Sequence, residues 1–527
     1  MPDGYLCFLL HAHLPYVRHP EFEDCLEERW LGEALTETYL PLLRMLESRA
    51  ERGKRGRITI SLSPTLLAML EDPLLRGRYA HRLERLLELT EREAARTRHD
   101  PRFHPIVLHY LERFRAARNQ FENRYRRDVV AAFRAVADAG VASLITCGAT
   151  HGYMPLMDLG APSWRGQIGT AVREFERHLG RKPDGFWLPE CGYTPGVERV
   201  LAEFGVRYFV VDAHGILDAC PRPRPGTLAP FRTESGVSAL GRDAESSQQV
   251  WSATDGYPGD SHYREYYRDQ GFDLPLETVR EFLPSGGTRT HTGLKYYRIT
   301  DRARPEREPY EPAVASARTR EHALHFVTQR RARAREAASF IGQPALFLAP
   351  YDAELMGHWW YEGPEWMGHV LDLLADPESG VRAVDPIEAL DRIPRVPAGR
   401  LHPSSWGEGG YSRVWLDPSN DWIYRHLNVA AERMQALAKA GDGGDALRGR
   451  ALRQAGRELL LAQASDWAFI MRTGTLVPYA VRRTELHLER FSRLAEGLRE
   501  NRISASELAE FEALDPIFPT LDPGLFA

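Results

Sequence analysis

Short, mostly apolar runs recur along this chain, each ending at a polar residue and followed by sequence of helical spacing. Residues 5–10, 58–62, 144–147, 185–188, 208–211 and 345–349 are too short for buried helices, so they predict buried strands; 237–240 is a weaker candidate. Between them, residues 31–50, 79–138, 197–204 and 313–341 carry apolar positions at helical intervals, such as Leu83, Leu86 and Leu87. Strand, polar residues and helix in that repeated order predict parallel β/α units. His11, His13, His151, Glu190 and Asp352 all fall just after predicted strands. In a barrel they would meet at the C-terminal face of the strands. A doubly wound open sheet could gather them too, but no G-x-G-x-x-G or phosphate-loop pattern follows the first strand, so a barrel is predicted.

At 527 residues the chain exceeds one barrel core. The texture changes near residue 402: residues 404–410 are turn-rich, and 421–440, 446–471 and 481–501 then read as helices, followed by a capping box at Ser504 and Glu507. A domain boundary is set there. A net charge of −5, with arginines interleaved among glutamates, offers no polycation for nucleic acid or an anionic membrane. Five cysteines without a C-x-x-C pair predict free thiols in a reducing compartment. The six-residue apolar run at 5–10 has no basic flank and is too short for a signal peptide or a membrane span, so a cytoplasmic protein is expected.

Two stretches carry the chemistry. Gly185-Phe-Trp-Leu-Pro-Glu190 runs an apolar strand into a carboxylate bracketed by Pro189 and Gly192, and Ala345-Leu-Phe-Leu-Ala-Pro-Tyr-Asp352 repeats the design. Two carboxylates on two strand ends are what a glycoside-processing enzyme needs, and a retaining pair stands about 5–5.5 Å apart. Phe186, Trp187 and Tyr193 could stack on sugar faces. The competing reading makes Glu190 a loop anchor. Asp352 is preferred over Glu354 because it lies nearer the strand. His11 and His13, with His151, could bind a metal or form the polar floor of a sugar site; the second is preferred, because no carboxylate sits near them at a known metal spacing. Trp406, Trp415, Asp466 and Trp467 either lengthen a binding groove or glue the domains together.

The stretches His11-Ala-His-Leu-Pro15, Gly148-Ala-Thr-His-Gly152, Trp187-Leu-Pro-Glu-Cys191, Ala349-Pro-Tyr-Asp-Ala-Glu354, Trp406 and Ser465-Asp-Trp467 together resemble the branching enzymes of glycoside hydrolase family 57. The resemblance implies an α/β fold: an incomplete (β/α)7 barrel over 1–188 and 231–402, a small helical or loop insertion over 189–230, and a helical C-terminal domain over 403–527. It implies Glu190 as nucleophile and Asp352 as general acid/base. His11, His13, His151, Arg264, Trp406, Trp415 and Asp466 match substrate-site stretches. No metal or cofactor is implied. The implied partner is an α-glucan polysaccharide, with no nucleic acid and no membrane, and the expected state is a monomer. The chain departs from the family in one respect. Branching members carry a tyrosine on a mobile loop that should fall between Cys220 and Trp251, and this chain has no tyrosine there; Phe231 and Arg232 stand where an aromatic tip is expected. An α-amylase activity is therefore the alternative. A metal-dependent deacetylase and a non-catalytic glucan-binding protein are the readings from other classes.

Overall fold

A computed structural model describes residues 2–54, 56–157, 160–252, 255–284, 288–300 and 306–527. Among these are ten strands: β1 (Gly4–Ala12), β2 (Ile58–Leu62), β3 (Ala142–Cys147), β4 (Gly185–Trp187), β5 (Tyr208–Val211), β6 (Phe231–Thr233), β7 (Ser238–Gly241), β8 (Ala345–Asp352), β9 (Val381–Ala383) and β10 (Ala398–Gly399). They follow the order β10-β6-β7-β5-β4-β3-β2-β1-β8, and β9 pairs with the start of β1. Seven of them, β1 to β5 with β7 and β8, form one continuous parallel run, and β9 joins β1 in parallel at its start. One parallel bridge, Arg242 to Leu348, links β7 to β8, and Asp243 N–H donates to the Leu348 carbonyl at 2.8 Å. The seven strands thus curl into a ring with a thin seam, one strand short of the eight-stranded barrel. This is the incomplete (β/α)7 barrel the sequence leads one to expect.

The two-residue period of the strands sorts their side chains. Tyr5, Cys7 and Leu9 of β1 pack inside the ring with Trp187, Val210, Leu240, Leu346 and Leu348. Leu6, Phe8, Leu10, Phe186, Phe209 and Phe347 belong to the outer core, beneath the helices. The inward parity of β1 continues to His11, and that of β8 (346, 348, 350) continues to Asp352. In register, His11 lies beside Asp352.

Three expectations change. The 189–230 stretch is not a unit outside the barrel, because it supplies β5, paired on both edges with β4 and β7. The 220–251 stretch is built into the sheet rather than lying over a cleft: it contains β6, β7 and the helix Ala244–Trp251, and Phe231 is fully buried. The helical region 79–138 is broken into Pro73–Arg96, His104–Arg118 and Val129–Asp138, with Asp100-Pro101 in the first gap, where the ring of Pro101 cannot continue a helix. Part of the charged loop expected at 301–312, residues 301–305, lies outside the described residues.

Beyond the barrel come Trp422–Ala440, Ala446–Ala462, Ser465–Thr473, Val477–Glu500 and Ala505–Leu514. Ser504 Oγ accepts the Glu507 N–H at 3.3 Å, as its capping position predicts. The helix expected over 446–471 breaks at Gln463-Ala464, which starts a new helix at Ser465. All five cysteines are free. No helix among the described residues is long and apolar enough to cross a membrane.

Candidate active site

Glu190 follows β4 with a backbone φ of +62°, and His151 follows β3 at +61°. Neither is glycine, so each stores about 1–3 kcal/mol of backbone strain. Chain from beyond the barrel holds both in place. Trp406 N–H donates to the Glu190 carbonyl at 2.9 Å, and Ser465 N–H donates to the His151 carbonyl at 3.1 Å. The side chains of the same two residues reach the carboxylate: Trp406 Nε1–H donates to Glu190 Oε2 at 2.6 Å, and Ser465 Oγ–H donates to Oε1 at 3.0 Å.

Behind Ser465 runs a line of polar contacts. His151 Nδ1 is 2.8 Å from Ser465 Oγ, His151 Nε2 is 2.8 Å from His11 Nε2, and His11 Nδ1 is 3.2 Å from Ser61 Oγ. Burial holds both imidazoles well below their usual pKa, and the neighbouring histidines lower them further. Each neutral ring has one donor and one acceptor nitrogen. With Ser465 donating to Glu190, His151 Nδ1–H donates to Ser465, His11 Nε2–H donates to His151, and Ser61 donates to His11. The whole line then points at the Glu190 carboxylate.

Burial pushes Glu190 up to about 8; Trp406 pulls it down, Asp352 and Asp466 push it up, and Ser465 pulls it down. Asp352 is the exposed end of an otherwise buried strand, yet the protein crowding its flanks pushes its carboxyl up to about 6, against the pull of His13 and Arg242. Two such interacting carboxyls titrate as a unit that keeps one proton near neutrality. Trp406 and Ser465 pull Glu190 toward the anion, but burial outweighs them and leaves its carboxyl the higher of the two. Glu354 is bound by the Tyr39 hydroxyl, which leaves Asp352 as the freer of the two carboxylates on this loop.

His13 Nε2 is 3.2 Å from both oxygens of Asp466. A carboxylate does therefore sit beside these histidines, brought from the C-terminal helices. His13, His151 and Asp466 are close enough to be considered for a cation. The His13 and His151 rings, however, stack with centres 3.9 Å apart and planes 11° from parallel, so their in-plane lone pairs do not converge on one ion. Trp187 stacks on His11 at 4.7 Å and meets Trp406 edge-on at 5.0 Å, forming an aromatic wall.

Glu190, Asp352, His11, His13, His151, Trp406 and Asp466 thus gather at one end of the ring, linked by these contacts, the β1–β8 register and their mutual charge effects. Two expected residues do not join them. Arg264 has a fully buried side chain, ion-paired with Glu37 at 3.3 Å and donating to the His358 carbonyl at 2.8 Å. Trp415 is 1% exposed and stacks on Tyr153 at 4.9 Å, packing the helical region against the barrel. Both are engaged by protein groups in this structure. Ser465, Ser61 and Arg242 are site residues the sequence reading did not single out. Ser465 adjoins Asp466 in a stretch that reading had flagged, but no local pattern relates it to a carboxylate 275 positions earlier.

Residues 7–335 match glycosyl hydrolase family 57, and residues 426–526 match the C-terminal part of 1,4-alpha-glucan branching enzymes. The 1,4-alpha-glucan branching enzyme TK1436 of Thermococcus kodakarensis is 34% identical over 94% of this chain and 74% of its own length. Among solved structures, the alpha-amylase AmyC of Thermotoga maritima superposes with a TM-score of 0.93 at 40% identity, covering 100% of this chain and 99% of that one. The branching enzyme of Pyrococcus horikoshii superposes with a TM-score of 0.89 at 33% identity, covering 99% of this chain and 97% of that one. With its seven-stranded ring, strand-end carboxylates and near full-length relatives, the chain belongs to glycoside hydrolase family 57.

Proposed function

We propose that this chain is a retaining 1,4-α-glucan branching enzyme. In the first step the proton on Asp352 passes to the glycosidic oxygen as that bond to C1 breaks, and the Glu190 carboxylate bonds to C1. In the second, the 6-hydroxyl of another glucan attacks C1, its proton passes to Asp352, and Glu190 leaves. Two inversions return the α configuration, which calls for a carboxyl separation of about 5–5.5 Å. The observation carrying this reading is the convergence of Trp406 and Ser465 on Glu190 beside Asp352: two donors hold the attacking carboxylate in place and stabilise the anion it must become. The near full-length likeness to branching enzymes supports transfer over simple cleavage.

His11, His13, His151 and Asp466 form the polar floor of the sugar site, without metal or cofactor; the parallel rings support this. Arg264 and Trp415 are assigned to packing. Residues 403–527 form a helical domain that completes the site of the barrel. The partner is an α-glucan such as amylose. Free thiols and modest charge support a cytoplasmic protein without affinity for nucleic acid or membrane; a monomer is proposed with it.

Hydrolysis is the second reading, favoured by the likeness to AmyC and by the 220–251 stretch being tied into the sheet. Incubation with amylose decides: new α-1,6 links in excess of new reducing ends support branching, and new reducing ends without α-1,6 links support the amylase.

A further inference from the structure

Past Asp352 the chain makes a tight loop that presents aromatic rings to solvent. Trp359 is 50% exposed and stacks on Tyr266, with ring centres 4.2 Å apart and planes 30° from parallel. Tyr267, 66% exposed, meets Tyr266 edge-on at 5.1 Å. Large exposed aromatics grouped in this way mark a binding surface.

Buried groups hold this platform. Gly357 has φ +119°, and a Cβ there would overlap the Glu37 carbonyl, so the turn requires glycine. His358 Nδ1–H donates to Glu37 at 2.7 Å, and its Nε2 accepts from the Tyr266 hydroxyl at 3.1 Å. Arg264 binds both Glu37 and the His358 carbonyl. Lys295 Nζ donates to the Tyr266 carbonyl at 2.6 Å and lies 5.0 Å from the centre of its ring. Trp359 N–H donates to the Glu354 carbonyl at 3.1 Å, so the platform stands on the same short loop as Asp352.

We propose that Trp359 and Tyr266 form a distal subsite for an α-1,4-glucan chain, beyond the sugars at the carboxylate pair, and that this subsite makes the enzyme act on long chains in preference to short ones. This rests on the α-glucan reading above. The occupant follows from the chemistry: rigid aromatic faces take the C–H faces of sugar rings, and a loop that starts at the general acid is on the path of a polymer leaving it. Arg264 and Glu37 act as positioning residues for this platform.

The test compares wild type, Trp359→Ala and Trp359→Phe on amylose and on maltotetraose, with circular dichroism as the check on folding. Losing one stacking face should lower the amylose-to-maltotetraose ratio of kcat/KM about five- to tenfold in Trp359→Ala, and Trp359→Phe should recover most of it. An unchanged ratio, or equal losses on both substrates, would overturn the proposal. Affinity electrophoresis of the Glu190→Gln protein through amylose gels reads binding without turnover: Trp359→Ala added to it should abolish most of the retardation, and full retardation would count against the subsite. If wild type processes neither substrate, the branching reading fails, and the gel alone decides the subsite.

Discussion

The Nε2 atoms of His11 and His151 lie 2.8 Å apart, so one ring must donate to the other. That single contact couples the two tautomers and, through Ser61 on one side and Ser465 on the other, makes the line to Glu190 run in one sense from end to end. Reversing the line requires a proton on Glu190 itself. The line therefore favours one charge state of the candidate nucleophile.

Ser465→Ala removes one donor from Glu190 and leaves His151 Nδ1–H unpaired. It should lower kcat about ten- to a hundredfold with a smaller change in KM, and move the acidic limb of the pH profile to higher pH, since the anion loses support. A loss confined to KM would assign Ser465 to substrate binding instead.

The pH profile of kcat/KM should be a bell. Below about 6 the carboxyl pair takes up its second proton and Glu190 can no longer attack; above about 8 the pair loses the proton Asp352 must deliver. Initial rates from pH 4 to 10 at constant ionic strength check this.

Glu190→Gln and Asp352→Asn should each cut turnover on amylose about a thousandfold or more. They should separate on α-glucosyl fluoride, whose leaving group needs no proton: Asp352→Asn should regain much of its rate of glycosyl-enzyme formation and Glu190→Gln should not. Equal failure of both would show that Asp352 is not the acid.

Glu190 also carries a pH dependence of stability. Its folded pKa is raised, so its contribution is fully present below the unfolded value near 4.5 and is lost as pH rises through about 8. Above that pH the crowded anion burdens the folded state. Glu190→Gln should therefore raise Tm more at pH 9 than at pH 5, as differential scanning calorimetry would read.

Trp415→Ala should destabilise the protein by about 3–5 kcal/mol, because it removes a buried indole stacked on Tyr153. Thermal unfolding measures this. Trp406→Phe should lower kcat through the lost donor to Glu190 and spare stability by comparison.

The barrel was legible because its strands are short apolar runs that each stop at polar residues before helical spacing, and those stops placed His11, Glu190 and Asp352 at strand ends. The strands β6, β9 and β10 were not, at two or three residues each with too few side chains to show a period. Glu190 announced itself through Pro189 and Gly192. Its partners did not, because Trp406 and Ser465 are brought to it by tertiary packing across more than 200 residues. The surroundings of Arg264 were hidden for a similar reason: this arginine on an aromatic stretch is held by Glu37, far upstream, which no local pattern reveals.

The two donors that close on Glu190 belong to chain synthesised after the whole ring. A nascent protein growing from its N-terminus carries a complete set of seven strands while its attacking carboxylate still lacks Trp406 and Ser465, and the bend at His151 lacks the N–H that holds it. The order of synthesis therefore separates building the ring from arming it: the site is complete only when chain from beyond residue 400 has packed onto the strand ends.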